Sequence, residues 1–151
     1  MSTLSFSHLV RASLYIAACA VWASVYAQNS DTSAATCPEA WETDSSMLQG
    51  EWVARIAEQD NAAVVHLGPH PEWQGTVKGE VRRGDKNHAM VGDVNDGVVT
   101  LEESDNGINI SATWLGEVTE GSCAREVRGH YQTEGNDDAQ PLPFVLRKRT
   151  P

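Results

Sequence analysis

The sequence predicts an all-β protein: an eight-stranded antiparallel up-and-down β-barrel (a meander) with a short N-terminal arm or helix. Three observations predict it. From Leu48 onward the apolar residues recur with a period of two, and the other face of each run is polar. Asp-Gly and Asn-Gly pairs separate the alternating runs and supply the positive φ that tight hairpins need. Eight short strands in about 100 residues must pair or hide their edges, and closing the sheet removes the edges altogether. A two-sheet sandwich is the alternative. The barrel is preferred because successive strands look hairpin-linked, with no long crossover.

The chain divides into three parts: a signal peptide at 1–27, an N-terminal arm at 28–47 and the barrel domain at 48–151. In the first part Arg11 precedes an apolar or small run from Ala12 to Val25, and Val25-Tyr26-Ala27 has the small–x–small pattern of a signal-peptidase site. The run falls short of the ~20 residues that span a membrane. Ile16-Ala17-Ala18-Cys19 also resembles the lipobox of bacterial lipoproteins. That resemblance implies lipidation and membrane anchoring at Cys19. Simple cleavage before Gln28 is the expected outcome, because Ala20 to Ala27 stays apolar where a lipoprotein carries a polar tether. The expected location is periplasmic or secreted, with a lipoprotein anchored through Cys19 as the alternative.

Removing 27 of the 151 residues leaves 124, with all 21 acids and ten of the 11 bases, so the net charge of −10 becomes −11. Such an acidic chain disfavours nucleic acid as a partner, since phosphate contacts need clustered Lys and Arg. Of three cysteines, Cys37 and Cys123 remain. In an oxidising compartment they most simply form one disulfide, with two separate thiols as the alternative.

The elements follow in order. Gln28 to Ala35 is polar and small. Pro38 to Ser46 reads as one short helix with Pro38 in its first turn, or as a loop packed through Trp41. The first strand places Leu48, Gly50, Trp52, Ala54 and Ile56 on one face. Ala62 to Leu67, Gly75 to Arg82, Ala89 to Val94 and Val98 to Glu103 follow. The sixth strand is read as Ile108 to Trp114, the seventh as Glu126 to Tyr131 and the eighth as Phe144 to Lys148.

Few constellations suggest chemistry. His66, His70 and Glu72 have the spacing of a metal clip, but His66 to Pro71 reads as a turn without fixed geometry. Counting from Asp93, a calcium-hand loop would need Gly at 98 and Glu at 104, where Val98 and Ser104 stand. Glu102 and Glu103 fall on opposite faces of a strand, so they do not form a catalytic pair. Asn109-Ile110-Ser111 is a glycosylation sequon, relevant only to a eukaryotic secretory route. No nucleophilic cluster is evident. No catalytic residue, metal or cofactor is expected.

Gly50-Glu51-Trp52 in the first strand and Arg147 in the last resemble the calycin pattern of lipocalins and their relatives. There a Gly-x-Trp opens the first strand, and an Arg or Lys from the last strand packs over the indole at the closed end. The resemblance implies barrel closure by Gly50, Trp52 and Arg147, with Lys148 and Arg149 as competitors for the last role. A guanidinium suits this role because it stacks on an indole while bonding carbonyls. The chain also resembles, more weakly, small exported inhibitors of bacterial metalloproteases. Those are calycin-type barrels whose N-terminal arm enters the protease cleft.

The expected function is an exported, non-enzymatic binding protein. A small apolar or amphipathic ligand would sit in a Trp-lined barrel, with Trp52, Trp73, Trp114 and Tyr131 as candidate ligand-binding residues. The alternative is a protein–protein interaction module, such as a periplasmic protease inhibitor using the N-terminal arm.

Overall fold

The structure is a computed structural model, and it describes residues 37–135 and 139–150. The expected signal peptide with Cys19, the arm up to residue 36, residues 136–138 of the last loop and residue 151 lie outside the described residues.

Eight strands form a closed antiparallel barrel in chain order. They are β1 (Gly50–Ile56), β2 (Ala63–Pro69), β3 (Thr76–Arg83), β4 (Lys86–Asn95), β5 (Val98–Ser104), β6 (Ala112–Val118), β7 (Glu126–Thr133) and β8 (Leu142–Lys148). The up-and-down barrel is therefore the fold, as the alternation predicts, and the sandwich is excluded. Closure comes from β1 and β8, which pair antiparallel from Trp52 opposite Lys148 to Ile56 opposite Phe144. The turn between β4 and β5 has Asp96 at φ 49° and Gly97 at φ 81°, the two positive values of a type I′ hairpin.

One strand is displaced from its expected place. β6 starts at Ala112, not Ile108, and runs on to Val118. Ile108 is 85% exposed and Ile110 44%. The cause is local. The Asn106 side-chain oxygen accepts hydrogen bonds from the backbone N–H of Ile108 and Asn109, both at 2.9 Å. This Asx turn diverts the chain from the ladder until Ser111 donates its N–H to the Glu103 carbonyl.

The segment before β1 is not one helix. A single 3-10 turn (Ala40–Glu42) and α1 (Ser45–Leu48) are separated by Thr43 and Asp44. Asp44 caps α1, its carboxylate accepting from Ser46 N–H at 2.8 Å and Met47 N–H at 3.2 Å. Leu48 and Ala40, not the 63%-exposed Trp41, anchor this segment in the core. The segment closes the barrel end where β1 begins. The opposite end carries the connections β1–β2, β3–β4, β5–β6 and β7–β8.

Inside, Trp52, Ala54, Val65, Val77, Val81, Met90, Val99, Leu101, Trp114, Val127 and Leu146 are essentially inaccessible. Gly116 does not leave a gap. A Cβ on Gly116 would lie 2.9 Å from the Phe144 ring and 3.0 Å from a Val127 methyl. The place of the missing Gly116 side chain is thus taken by neighbours, and the buried residues form a hydrophobic cluster.

Candidate functional site

At the end where β1 starts, Trp52 is fully buried and its indole N–H donates to the Leu48 carbonyl at 2.7 Å. Gly50 has φ +119°, a conformation L side chains rarely adopt, and this turns the chain from α1 into β1. A Cβ here would also crowd the Lys148 stem at 3.3 Å. The cation over the indole is Lys148, not Arg147. The Lys148 ammonium lies 5.4 Å from the Trp52 ring centroid and donates to the Met47 carbonyl at 2.6 Å. Burial first, then the nearby positive charge of Arg125, holds this amine below its ordinary value of 10.5. Arg147 instead faces out, its Nε 2.7 Å from the Glu126 carboxylate and its side chain 63% exposed. The reason is the period of two: Phe144, Leu146 and Lys148 share the inner face, and Arg147 falls between them.

The other end holds a buried ionic network that sequence reasoning missed. Arg83 of β3 donates from Nη1 and Nη2 to both oxygens of Glu103 on β5, each at 2.5 Å. Glu103 is 2% exposed and also accepts the Trp114 indole N–H at 3.2 Å. The guanidinium carbon lies 5.5 Å from the Trp114 ring centroid and 5.3 Å from that of Tyr131. Trp114 meets Tyr131 and Phe144 edge-on, at 5.0 and 5.1 Å. Burial raises the Tyr131 phenol above its ordinary value of 10.0. On the solvent side His88 Nδ1 lies 2.6 Å from the Asp105 carboxylate and 3.8 Å from Glu103. Hydrogen bonds from Ser111 and His88 hold Asp105 below 3.8.

His88, Glu103 and Asp105 offer donor atoms within 4.8 Å of one another. Arg83, however, engages both Glu103 oxygens and sets a positive charge beside them, so the arrangement is that of an ion pair tying β3 to β5. The signal was present in the sequence. Arg83 and Glu103 are in phase with the apolar positions of their strands, a charge on each otherwise apolar face.

The candidate ligand residues therefore separate. Trp114 and Tyr131 meet at this end, Trp52 sits at the other, and Trp73 is outside the barrel. Trp73 lies between β2 and β3 and is 60% exposed. Its ring stacks on His70 at 4.4 Å with 10° between the planes. His70 Nδ1 accepts from the N–H of Glu72 and of Trp73, both at 3.1 Å, so the ring position is fixed by its own loop. Trp73, His70, Val91, Ile108 and Ile110 line an outer groove of about 380 Å³ across β3 to β5. His66 turns elsewhere, 3.4 Å from Glu51, and does not join His70 in a metal clip.

Cys37 and Cys123 lie at disulfide distance, with Cα atoms 4.6 Å apart and a sequence separation of 86. The pair is compatible with an oxidising, exported location. Among the described residues no helix is long and apolar enough to cross a membrane. The barrel is compatible with a calycin-like fold. No protein-family model matches the chain, and no curated protein matches it.

Proposed function

We propose that this is an exported, non-enzymatic protein–protein interaction module that recognises its partner with the outside of the barrel. One observation carries the reading: Trp73 is exposed yet held in place by its stack on His70 and by the loop hydrogen bonds to that imidazole. An immobilised, exposed tryptophan beside an apolar groove is the kind of anchor that dominates interfaces, because little side-chain freedom is lost on binding. Ile108 and Ile110 extend the same groove. Exposed apolar side chains clustered in this way favour association.

A small ligand inside the barrel draws less support, because Trp73 is exposed outside and Trp52 and Trp114 lie at opposite ends. Export is supported by the residue pattern of 1–27 and by the Cys37–Cys123 pair. Calycin kinship is supported by the closure of a meander barrel through Gly50, Trp52 and a cation from the last strand.

Photo-crosslinking from position 73 in the exported fraction of the native host tests the proposal, with position 82 on the same barrel as control. A discrete protein adduct from position 73 alone is expected. No adduct, or saturable uptake of an apolar probe that quenches Trp52 and Trp114, overturns it.

A further inference from the structure

The bases of this acidic chain are unevenly distributed. Arg125, Arg128, Arg147, Lys148 and Arg149 are five of its 11 bases, and all lie where β7 begins and β8 ends. The remaining chain carries six bases against 19 acids once Glu51 and Glu126 are assigned to this corner. A cleft of about 1070 Å³ opens here, walled by the Cys37–Cys123 pair, Ala124, Gly50, Arg125, Lys148 and Arg149.

Three of the five bases have partners. Arg149 pairs with Glu51, and Arg128 and Arg147 share Glu126. Both carboxylates are held below 4.5 by these hydrogen bonds, Glu51 by Arg149 and Glu126 by Arg147 and then Arg128. Arg125 and Lys148 differ. Among the described residues neither has a carboxylate within 4.0 Å. Yet they are neighbours in the fold, with the Lys148 N–H donating to the Arg125 carbonyl at 2.9 Å. Among the described residues the Arg125 side chain bonds the Thr150 hydroxyl, at 2.9 Å, and the Lys148 ammonium the Met47 carbonyl.

Two adjacent cations with no carboxylate within 4.0 Å among the described residues repel each other, and an anion in the cleft relieves that repulsion. The wall is also cross-linked. Cys123 and Ala124 have φ of 55° and 56°, successive left-handed conformations in residues that are not glycine. Their strain is held by the covalent link to Cys37 and by burial of Ala124.

We propose that this cleft is a docking site for an acidic peptide segment of a partner protein, with Arg125 and Lys148 as the recognising cations. A peptide fits better than a single small anion, because Arg149 lines the same cleft and Arg128 and Arg147 continue the row of bases beyond it. The acidic remainder of the surface repels such a segment everywhere else and so orients it. The proposal rests on the reading of the chain as a protein-interaction module, at a surface separate from the Trp73 groove.

The test is fluorescence anisotropy of labelled hexaglutamate with the full chain, its disulfide formed, at about 20 mM salt to limit screening. Saturable binding that weakens with salt is expected. Arg125→Glu should weaken it by roughly tenfold or more while keeping the wild-type melting temperature, and Lys86→Glu at the opposite barrel end should change it by less than about twofold. No saturable binding, equal losses in both variants, or tighter binding of an oligothymidylate of equal charge overturns the proposal. So does self-association in sedimentation that Arg125→Glu abolishes, since a second copy would then be the occupant. A crosslink from position 73 that persists when hexaglutamate fails removes this cleft alone and leaves the interaction-module reading standing.

Discussion

Replacing Glu103 by Leu would strip a nearly isolated guanidinium of its counter-ion. The Arg83 side chain is 20% exposed and that of Glu103 3%, so water cannot readily take over the lost contacts. The change removes two 2.5 Å charge-assisted hydrogen bonds and the acceptor of the Trp114 indole N–H. Breaking a buried pair by deleting one partner costs about 3–5 kcal/mol, most of it for the charge left behind. The double variant Arg83→Met/Glu103→Leu leaves no orphan charge and should return to within about 1–2 kcal/mol of wild type. Urea unfolding of both single variants and the double variant closes the thermodynamic cycle, with a coupling energy of about 2–4 kcal/mol expected. A cost under about 1 kcal/mol for Glu103→Leu, or additive single effects, would refute the claim that these charges act as one buried unit.

Three further outcomes are expected. Lys148→Ala should destabilise by about 1–2 kcal/mol, through the lost indole contact and carbonyl bond. Arg147→Ala, losing one exposed ion pair, should cost less than about 0.5 kcal/mol in the same urea assay; the reverse order would restore Arg147 to the closure. Cys123→Ala should lower stability by about 4–5 kcal/mol in the chain-entropy treatment of a long loop, and reductant should then have no further effect on the melting temperature. In acid, Asp44, Glu51, Asp105 and Glu126 lie below their ordinary values of 3.8 and 4.5 in the folded chain. The folded form thus binds fewer protons than the unfolded one. This stability is complete above about pH 5 and is lost as pH falls through the depressed values. A melting temperature unchanged from about pH 6 to about pH 3 would contradict it.

The barrel was legible because its strands bury one face, and a period of two survives in a single sequence. The same period held more than was first drawn from it. Read strictly, Phe144, Leu146 and Lys148 alternate inward, which puts Lys148 and not Arg147 over Trp52. The displaced start of β6 was hidden for a different reason. Ile108 and Ile110 keep the apolar phase of Ala112 and Trp114, but the Asn106 side chain takes the N–H groups of Ile108 and Asn109 out of the ladder. Alternation reports which face a side chain would occupy and not whether the backbone is paired. Trp73 was misplaced by the same limit. Trp73 and Trp114 both stand in a Trp-x-Gly-x-Val spacing, but Trp73 lies in the loop before β3 and Trp114 within β6.

The two barrel ends divide the roles of charge. At the far end Arg83 and Glu103 satisfy each other in a dry setting, where an unpaired partner is expensive, so the arrangement fixes the pairing of β3, β4 and β5. At the near end Arg125 and Lys148 stand side by side with no carboxylate within 4.0 Å among the described residues. Solvent lowers the cost of that repulsion but does not abolish it, because Lys148 is pinned to the Met47 carbonyl and the Trp52 face and cannot swing away. A fold that merely needed its base plugged could have used a neutral side chain over Trp52. Keeping a cation there, beside a second one, makes that corner attractive to negative charge on a surface that otherwise repels it.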